Sequence, residues 1–282
     1  MIRHCLRLLP ALALTAVLPA QAPKIEFPVA SPRSIVKQRI ELTEIEINYS
    51  RPSLKGRVMV GQINPYGEVW RTGANEATRL TFSTPVKVQG HVLPADTYEL
   101  FTIPGKDQWT VIFQKAGKQW GAYTYKPEND VLRVTAKPQA VAPPVESFTI
   151  DINDLHGESA TLNLIWADWR VSVPLEVDTA SVLVPQLEKL MASDAPKKPY
   201  DRAALFYRDH NLDLKQAAAW MDAAVAEHPD AYYLLYHQAT IRAKLGDKAG
   251  AIAAAKRSTE LAIKAKEDGY VRLNKDLMSS LR

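Results

Sequence analysis

The hydrophobic rhythm of the chain changes twice. Leu8 to Leu18 is an apolar run of 11 residues behind the positive start Arg3, His4 and Arg7, and small residues follow at Ala20 and Ala22. A run this short of the roughly 18–20 residues that span a bilayer reads as a removable secretory signal over residues 1–22. Cleavage after Ala20 or Ala22 fits the small-residue pattern, and a retained anchor is the alternative. From residue 31 to 177 the period is two. Ile45, Ile47 and Tyr49 alternate with Glu44, Glu46 and Asn48, the pattern of a half-buried strand. Comparable runs cover 78–83, 85–88, 97–103, 109–114, 131–136, 148–152, 160–166 and 171–177. Turn signals such as Pro104-Gly105-Lys106-Asp107 and His156-Gly157 separate them. Many short strands without helical patterns between them predict an antiparallel β-sandwich, jelly-roll-like, over residues 28–177. The prolines Pro138, Pro143 and Pro144 mark 136–145 as a stiff connection inside that domain.

After Val184 the period turns helical. Pro185, Pro196 and Pro199 punctuate a connector over 178–199, and an alanine-, leucine- and lysine-rich helical domain over 200–282 follows. Asp213 and Asp247 stand 34 residues apart, as do Ala217 and Ala251, and Pro229 closes the first unit. That period predicts tetratricopeptide-like helical hairpins. A plain helical bundle is the alternative, because the consensus tryptophan and glycine are missing. Two legible units are too few to bury their faces alone, so the array is expected to pack on the β domain or on a partner.

With 282 residues, 46% hydrophobic and 23% charged, the chain has globular proportions and room for two cores. Its formal charge of +4 does not point to nucleic acid. Without residues 1–22 there are 33 basic against 31 acidic residues, too even a balance for a basic face. The single cysteine, Cys5, precedes the apolar run. A mature chain would therefore have no disulfide, no thiol nucleophile, no lipid-bearing cysteine and no membrane anchor. His91, His156, His210, His228 and His237 stand at no ligand spacing. No His-Glu-x-x-His helix, nucleophile turn, phosphate loop or dinucleotide fingerprint is present, so neither a metal nor a cofactor is expected.

The chemistry concentrates between Tyr49 and Tyr125. The stretches are Tyr49-Ser50-Arg51-Pro52-Ser53-Leu54-Lys55-Gly56-Arg57, Tyr66 through Thr78, Leu100-Phe101-Thr102-Ile103-Pro104-Gly105 and Trp120-Gly121-Ala122-Tyr123. With Val145 through Ile150 and Arg170 through Pro174, they resemble the hallmark strings of an exported bacterial family, domain of unknown function 2911, over about residues 28–177. The resemblance implies export and often a helical tail, and it implies no reaction. One departure is Asp96, where the family's Leu-Pro-Ala-Gly-Thr-Tyr turn has glycine. Aspartate tolerates turn conformations, so the turn is expected to survive.

Read residue by residue, Trp70 to Glu76 is the strongest candidate site. Arg71 offers a planar fork for a carboxylate, phosphate or sugar hydroxyl pair. Asn75 donates and accepts, and Glu76 can serve as base or acceptor. Trp70, Trp120 or Tyr123 would supply a platform for a sugar ring, and Arg51, held before Pro52, would meet an anion. Lys55 and Arg57 read as a solvated loop face. Trp166 reads as core and Trp169 as a pocket rim. The structural alternative is that Arg71 and Glu76 pair to close a loop while Trp70 is buried. In the helical part, Trp220, Tyr232, Tyr233, Tyr236 and His237 read as packing, with a peptide groove as the alternative. Together these features predict a cell-envelope binding or scaffold protein. Its β domain would hold a small polar ligand or glycan, and its repeat would dock a protein or peptide. The alternatives are a hydrolase or isomerase using Glu76 and Arg71, and a purely structural envelope component.

Overall fold

A computed structural model describes residues 27–282; the signal reading and Cys5 lie outside the described residues. Ten strands follow in order: β1 (Arg33–Ile40), β2 (Thr43–Ser50), β3 (Thr78–Phe82), β4 (Val86–Val88), β5 (His91–Leu93), β6 (Thr97–Ile103), β7 (Trp109–Lys115), β8 (Asp130–Ala136), β9 (Pro138–His156) and β10 (Ser159–Val177). They make two antiparallel sheets, one ordered β1-β2-β3-β6-β7-β8 and the other β5-β4-β10-β9. The alternation explains the sandwich. Ile45, Ile47 and Tyr49 of β2 turn inward with Leu100 of β6 and Phe113 of β7, and they meet Phe148, Leu162, Leu164 and Trp166 from the second sheet. Glu44, Glu46 and Asn48 face outward.

β6 breaks this alternation because both of its faces are covered. Tyr98 and Leu100 enter the inner core. On the outer face Phe101 lies opposite Ile112, and with Ala77 they form a second cluster under Val69, Ala122 and Tyr125. Two loops therefore cross the outside of the larger sheet, one from the β2–β3 connection and one from the β7–β8 connection.

Two connections read from the sequence are strand. Residues 138–145 are the first part of the 19-residue β9, and the two runs of 160–166 and 171–177 are one 19-residue β10 with irregular register near Ala167. β9 is the edge of its sheet, and an edge strand tolerates prolines because amides on its open side need no ladder partner. β1 and β5 had no distinct periodic signal.

The segment 178–199 is mostly helix. α1 (Thr179–Ala192) starts on Asp178, whose side chain accepts from Ser181 N, and it runs through Pro185. An interior proline costs about 3 kcal/mol; packing of Leu183, Val184, Leu187 and Met191 into the helical core offsets it. There follow α2 (Tyr200–Asp209), α3 (Leu214–Glu227), α4 (Tyr232–Lys244), α5 (Lys248–Ala265) and α6 (Asp268–Ser280). The 34-residue echo has a structural counterpart. Asp213 caps α3 and Asp247 caps α5, while Ala217 and Ala251 are fully buried where neighbouring helices meet. Tyr207 packs on Trp220, and Tyr270 on Tyr232 and Tyr236. The helices bury a core of their own, separate from that of the sandwich. Glu158, in the β9–β10 turn, touches them: its Oε1 accepts from Thr179 N at 2.7 Å and lies 3.7 Å from His210 Nε2. Among the described residues no helix is long and apolar enough to cross a membrane.

Candidate functional site

The 27 residues between β2 and β3 are too many for a simple connection, and long irregular segments in compact domains usually carry function. Their last part is pinned to the sheet. Trp70 N donates to Thr102 O and Thr102 N to Trp70 O, both at 2.8 Å, so Trp70 extends the sheet where β3 stops. Its indole turns into the sandwich. It is 6% exposed, stacks on Trp166 (5.7 Å, 21°), meets Phe148 at 5.0 Å and donates Nε1–H to Gly73 O at 3.0 Å. Trp70 is therefore a core residue: it borders the first cleft described below, but its ring is taken up by Trp166 and Phe148 rather than laid open as a platform. Trp169 is likewise buried, 4.3 Å from Trp109 between ring centres, and lines neither of the two clefts described below.

Beyond Trp70 the backbone is held in costly conformations. Thr72 (φ 51°) and Asn75 (φ 59°) are left-handed, which for a buried β-branched threonine costs about 1–3 kcal/mol. The surroundings fix this shape. Thr72 Oγ1 donates to Thr102 Oγ1 at 3.1 Å, and Thr78 Oγ1 donates to Thr72 O at 2.5 Å. Asn75 Nδ2 donates to Ser31 O and Ser50 Oγ, each at 3.2 Å. Gly73 is needed for space: a Cβ there would stand 2.9 Å from Thr78 Oγ1 and 3.1 Å from Ser50 O. Asp96, by contrast, is not left-handed; its Oδ1 accepts from Thr97 N, so the turn does not require glycine.

The rigid loop forms one wall of an open cleft of about 550 Å³, lined by Arg57, Asn64, Glu68, Arg71, Asn75 and Tyr123 among others. Arg71 forms no ion pair among the described residues, and its Nε is buried without an acceptor. The side chain of Asn64, 8% exposed as a residue, also has its Nδ2 buried without a partner among the described residues. Arg57 Nε and Nη2 donate to the carbonyls of Leu54 and Ser53, which orient its guanidinium without neutralising it. Tyr123 is 84% exposed. Gly121 lets the ring and Arg71 come together: a Cβ there would stand 2.6 Å from the Tyr123 ring and 2.9 Å from Arg71 Nη1. Arg57, read as a solvated face, thus lines the cleft. Asn64 carried no signal in the sequence.

Glu76 is placed elsewhere. It is exposed and lines a second cleft of about 230 Å³, with Arg33, Asn48, Arg79 and the 62%-exposed Trp120. Arg71 lines the first cleft and Glu76 the second, with no ion pair between them. Ser31 and Asn75 line both clefts, so the Asn75 clamp is the partition between them. Arg51 lines neither. Its Nε donates to Phe148 O and its Nη2 to Thr149 Oγ1, both at 2.8 Å, which ties the end of β2 to β9. The expectation that Arg51 meets an anion gives way to a clamp between the sheets.

The aromatic loop 116–126 is held by a buried polar network. Glu99, fully buried on the outer face of β6, accepts from Gln119 N at 2.7 Å and Gln119 Nε2 at 2.8 Å. Gln119 Nε2 also donates to Gln114 Oε1, and Gln114 Nε2 donates to Asp130 Oδ1 and Lys126 O. Tyr125 donates to Asp130 Oδ2 at 2.7 Å. Burial, with the Asp130 carboxylate second, pushes the Tyr125 phenol up to about 12. Every donor of this network that faces inward has an acceptor, which is how a buried polar cluster becomes rigid. Among the described residues no group of His, Asp and Glu is placed to hold a metal.

A family model described as Protein of unknown function (DUF2911) matches residues 31–175, just over half of the chain. It covers the sandwich and both clefts. No curated protein and no solved structure matches the chain.

Proposed function

The chain belongs to that family of unknown function, and because its description carries no reaction, we propose from the site itself that this is an exported binding protein of the cell envelope. The β domain holds a small polar ligand or glycan in the cleft of Arg71, Asn75 and Tyr123, and the helical array, read as tetratricopeptide-like, docks a protein. One observation carries the ligand reading. Arg71 brings a full positive charge, in no ion pair among the described residues, to the wall of a cleft of ligand size. A guanidinium without a counter-charge at a cleft wall is a ready partner for an anionic or hydroxyl-bearing ligand. The strained conformations at Thr72 and Asn75 support it, since strain held in place by hydrogen bonds is typical of ligand clamps. Export rests on the signal pattern of residues 1–22.

A thermal-shift screen of metabolites and glycans against Gln21–Arg282, followed by titration calorimetry, tests the reading. A bound compound should lose about tenfold in affinity on Arg71→Ala with the fold intact. Binding indifferent to changes at Arg71 and Asn75 sinks the site. Because Glu76 and Arg71 open on different clefts, the geometry offers the hydrolase or isomerase alternative no converging pair. For the helical part, support comes from an open cleft of about 770 Å³ lined by Leu190, Tyr200 and Tyr233 among others. Photo-crosslinking from position 233 in the envelope should capture one protein; absence of any adduct removes the docking reading.

A further inference from the structure

The two clefts at the end of the sandwich differ in lining but share a wall. Ser31 and Asn75 border both, and the loop 116–126 passes over them with one exposed aromatic on each side, Tyr123 at the first cleft and Trp120 at the second. Their charges also match. Arg57 and Arg71 line the first cleft beside Glu68, and Arg33 and Arg79 line the second beside Glu76. None of these six groups is in an ion pair among the described residues. Arg33 Nε is turned on Asn48 Oδ1, a neutral acceptor. Each cleft thus combines surplus guanidinium donors with a flat ring open to solvent.

From this repetition we infer that the occupant is a linear acidic oligosaccharide, sugar rings bearing carboxylates, that crosses the Ser31–Asn75 partition and fills both clefts. The inference rests on the binding reading above and extends it to a ligand class and a second subsite. Sugar rings carry an apolar face that packs on the exposed Tyr123 and Trp120, while hydroxyls and carboxylates take the arginine forks that line the two clefts. A single small anion would fill one cleft and give the second aromatic no task. The backbone that positions the partition is locked by the bonds of Thr72, Thr78 and Asn75, so the trough exists before the ligand arrives. A nucleic acid would also bring anions and flat rings. The near-even charge of the chain outside residues 1–22 argues against it.

The test is calorimetric titration of the purified protein with tetramers of galacturonate, mannuronate and guluronate, their monomers, neutral maltotetraose and cellotetraose, and a short oligo-deoxyadenylate. At least one uronate tetramer should bind about tenfold tighter than its monomer and than either neutral tetramer. That advantage should shrink at about half-molar salt. Arg71→Ala, on one side of the partition, and Arg79→Ala and Trp120→Ala, on the other, should each weaken it by about fivefold or more, roughly the worth of one good polar or stacking contact. Trp120 is exposed, so its variant folds even where an arginine variant does not. Tighter binding of the oligonucleotide, or equal binding of the neutral tetramers, overturns the ligand class. A monomeric ligand that responds to Arg71→Ala and ignores Arg79→Ala and Trp120→Ala overturns the two-cleft trough and leaves the single-cleft reading standing. If no compound binds in a way that responds to Arg71→Ala, both fall.

Discussion

Trp70→Ala removes an indole from among three other rings, while Trp120→Ala removes one that faces water. Trp70 is 6% exposed, lies 5.0 Å from Phe148, 5.7 Å from Trp166 and 6.5 Å from Trp109, and hydrogen-bonds Gly73 O. Truncating such a residue costs the transfer free energy of the ring plus the cavity left behind, about 3–5 kcal/mol. Trp120 is 62% exposed and its change should stay within about 0.5 kcal/mol. Five of the six tryptophans (Trp70, Trp109, Trp120, Trp166 and Trp169) lie in the β domain, so tryptophan emission during urea unfolding reports mainly on the sandwich. For a slope of about 2 kcal/mol per molar, the Trp70→Ala midpoint should fall by roughly 2 M, whereas Trp120→Ala should overlay the parent. Because a domain holds only about 5–15 kcal/mol in all, Trp70→Phe serves as the milder variant. It keeps a ring but strands Gly73 O, at a cost of about 1–3 kcal/mol. A loss below about 1 kcal/mol for Trp70→Ala, or an equal loss for Trp120→Ala, would refute the division into core and exposed tryptophan.

Three further outcomes follow from the same geometry. Gly73→Ala should cost about 1–3 kcal/mol, because the new Cβ meets the backbone of Ser50 and the committed Thr78 hydroxyl; an unchanged thermal midpoint would contradict the close approach. Glu99→Gln turns one acceptor toward Gln119 into a donor, so about 1–3 kcal/mol should be lost and the Gln119 amide should exchange faster with solvent. Unaltered protection at Gln119 would show that Glu99 does not hold the aromatic loop. The Tyr125 phenol, at about 12 in the folded chain against 10 for a free tyrosine, contributes stability that is fully present below pH 10 and is lost as pH rises toward 12. Ultraviolet titration of the parent against Tyr125→Phe should show one late tyrosine; the same midpoint as the exposed tyrosines would rule out the buried hydrogen bond to Asp130.

The parts of this fold that were legible in the chain are those set by near neighbours. Alternation at Glu44–Tyr49 requires a strand with one buried face, and β2 has it. Asp213 and Asp247, one residue before alanine-rich periodic segments, cap helices where the pattern placed them. The family strings from Tyr49 to Pro174 led to the family whose model matches residues 31–175. Local rules erred where the answer depended on position in the sheet or on a distant partner. Proline signals a break, yet Pro138, Pro143 and Pro144 belong to β9 because that strand is an edge. Pro185 signals a break too, yet α1 passes through it because its apolar face packs on the other helices.

The same division runs through the candidate site. The density of arginine, aromatic and glycine residues between Tyr49 and Tyr125 located it, because each residue type carries its chemistry wherever it stands. Which of those residues face a cleft was decided by the tertiary structure. Trp70 and Trp120 are the same residue type, but the bridge to Thr102 sends one into the core and the loop anchored by Glu99 leaves the other in solvent. Arg51 and Arg57 are six residues apart, and the closure of β2 onto β9 occupies the first while the second reaches the cleft. Separation of Arg71 from Glu76 by the Asn75 clamp needs Ser31 and Ser50, which lie 44 and 25 residues away. Sequence order holds the chemistry of each side chain; contacts made across such distances choose which ones converge, because only the closed sandwich fixes their directions.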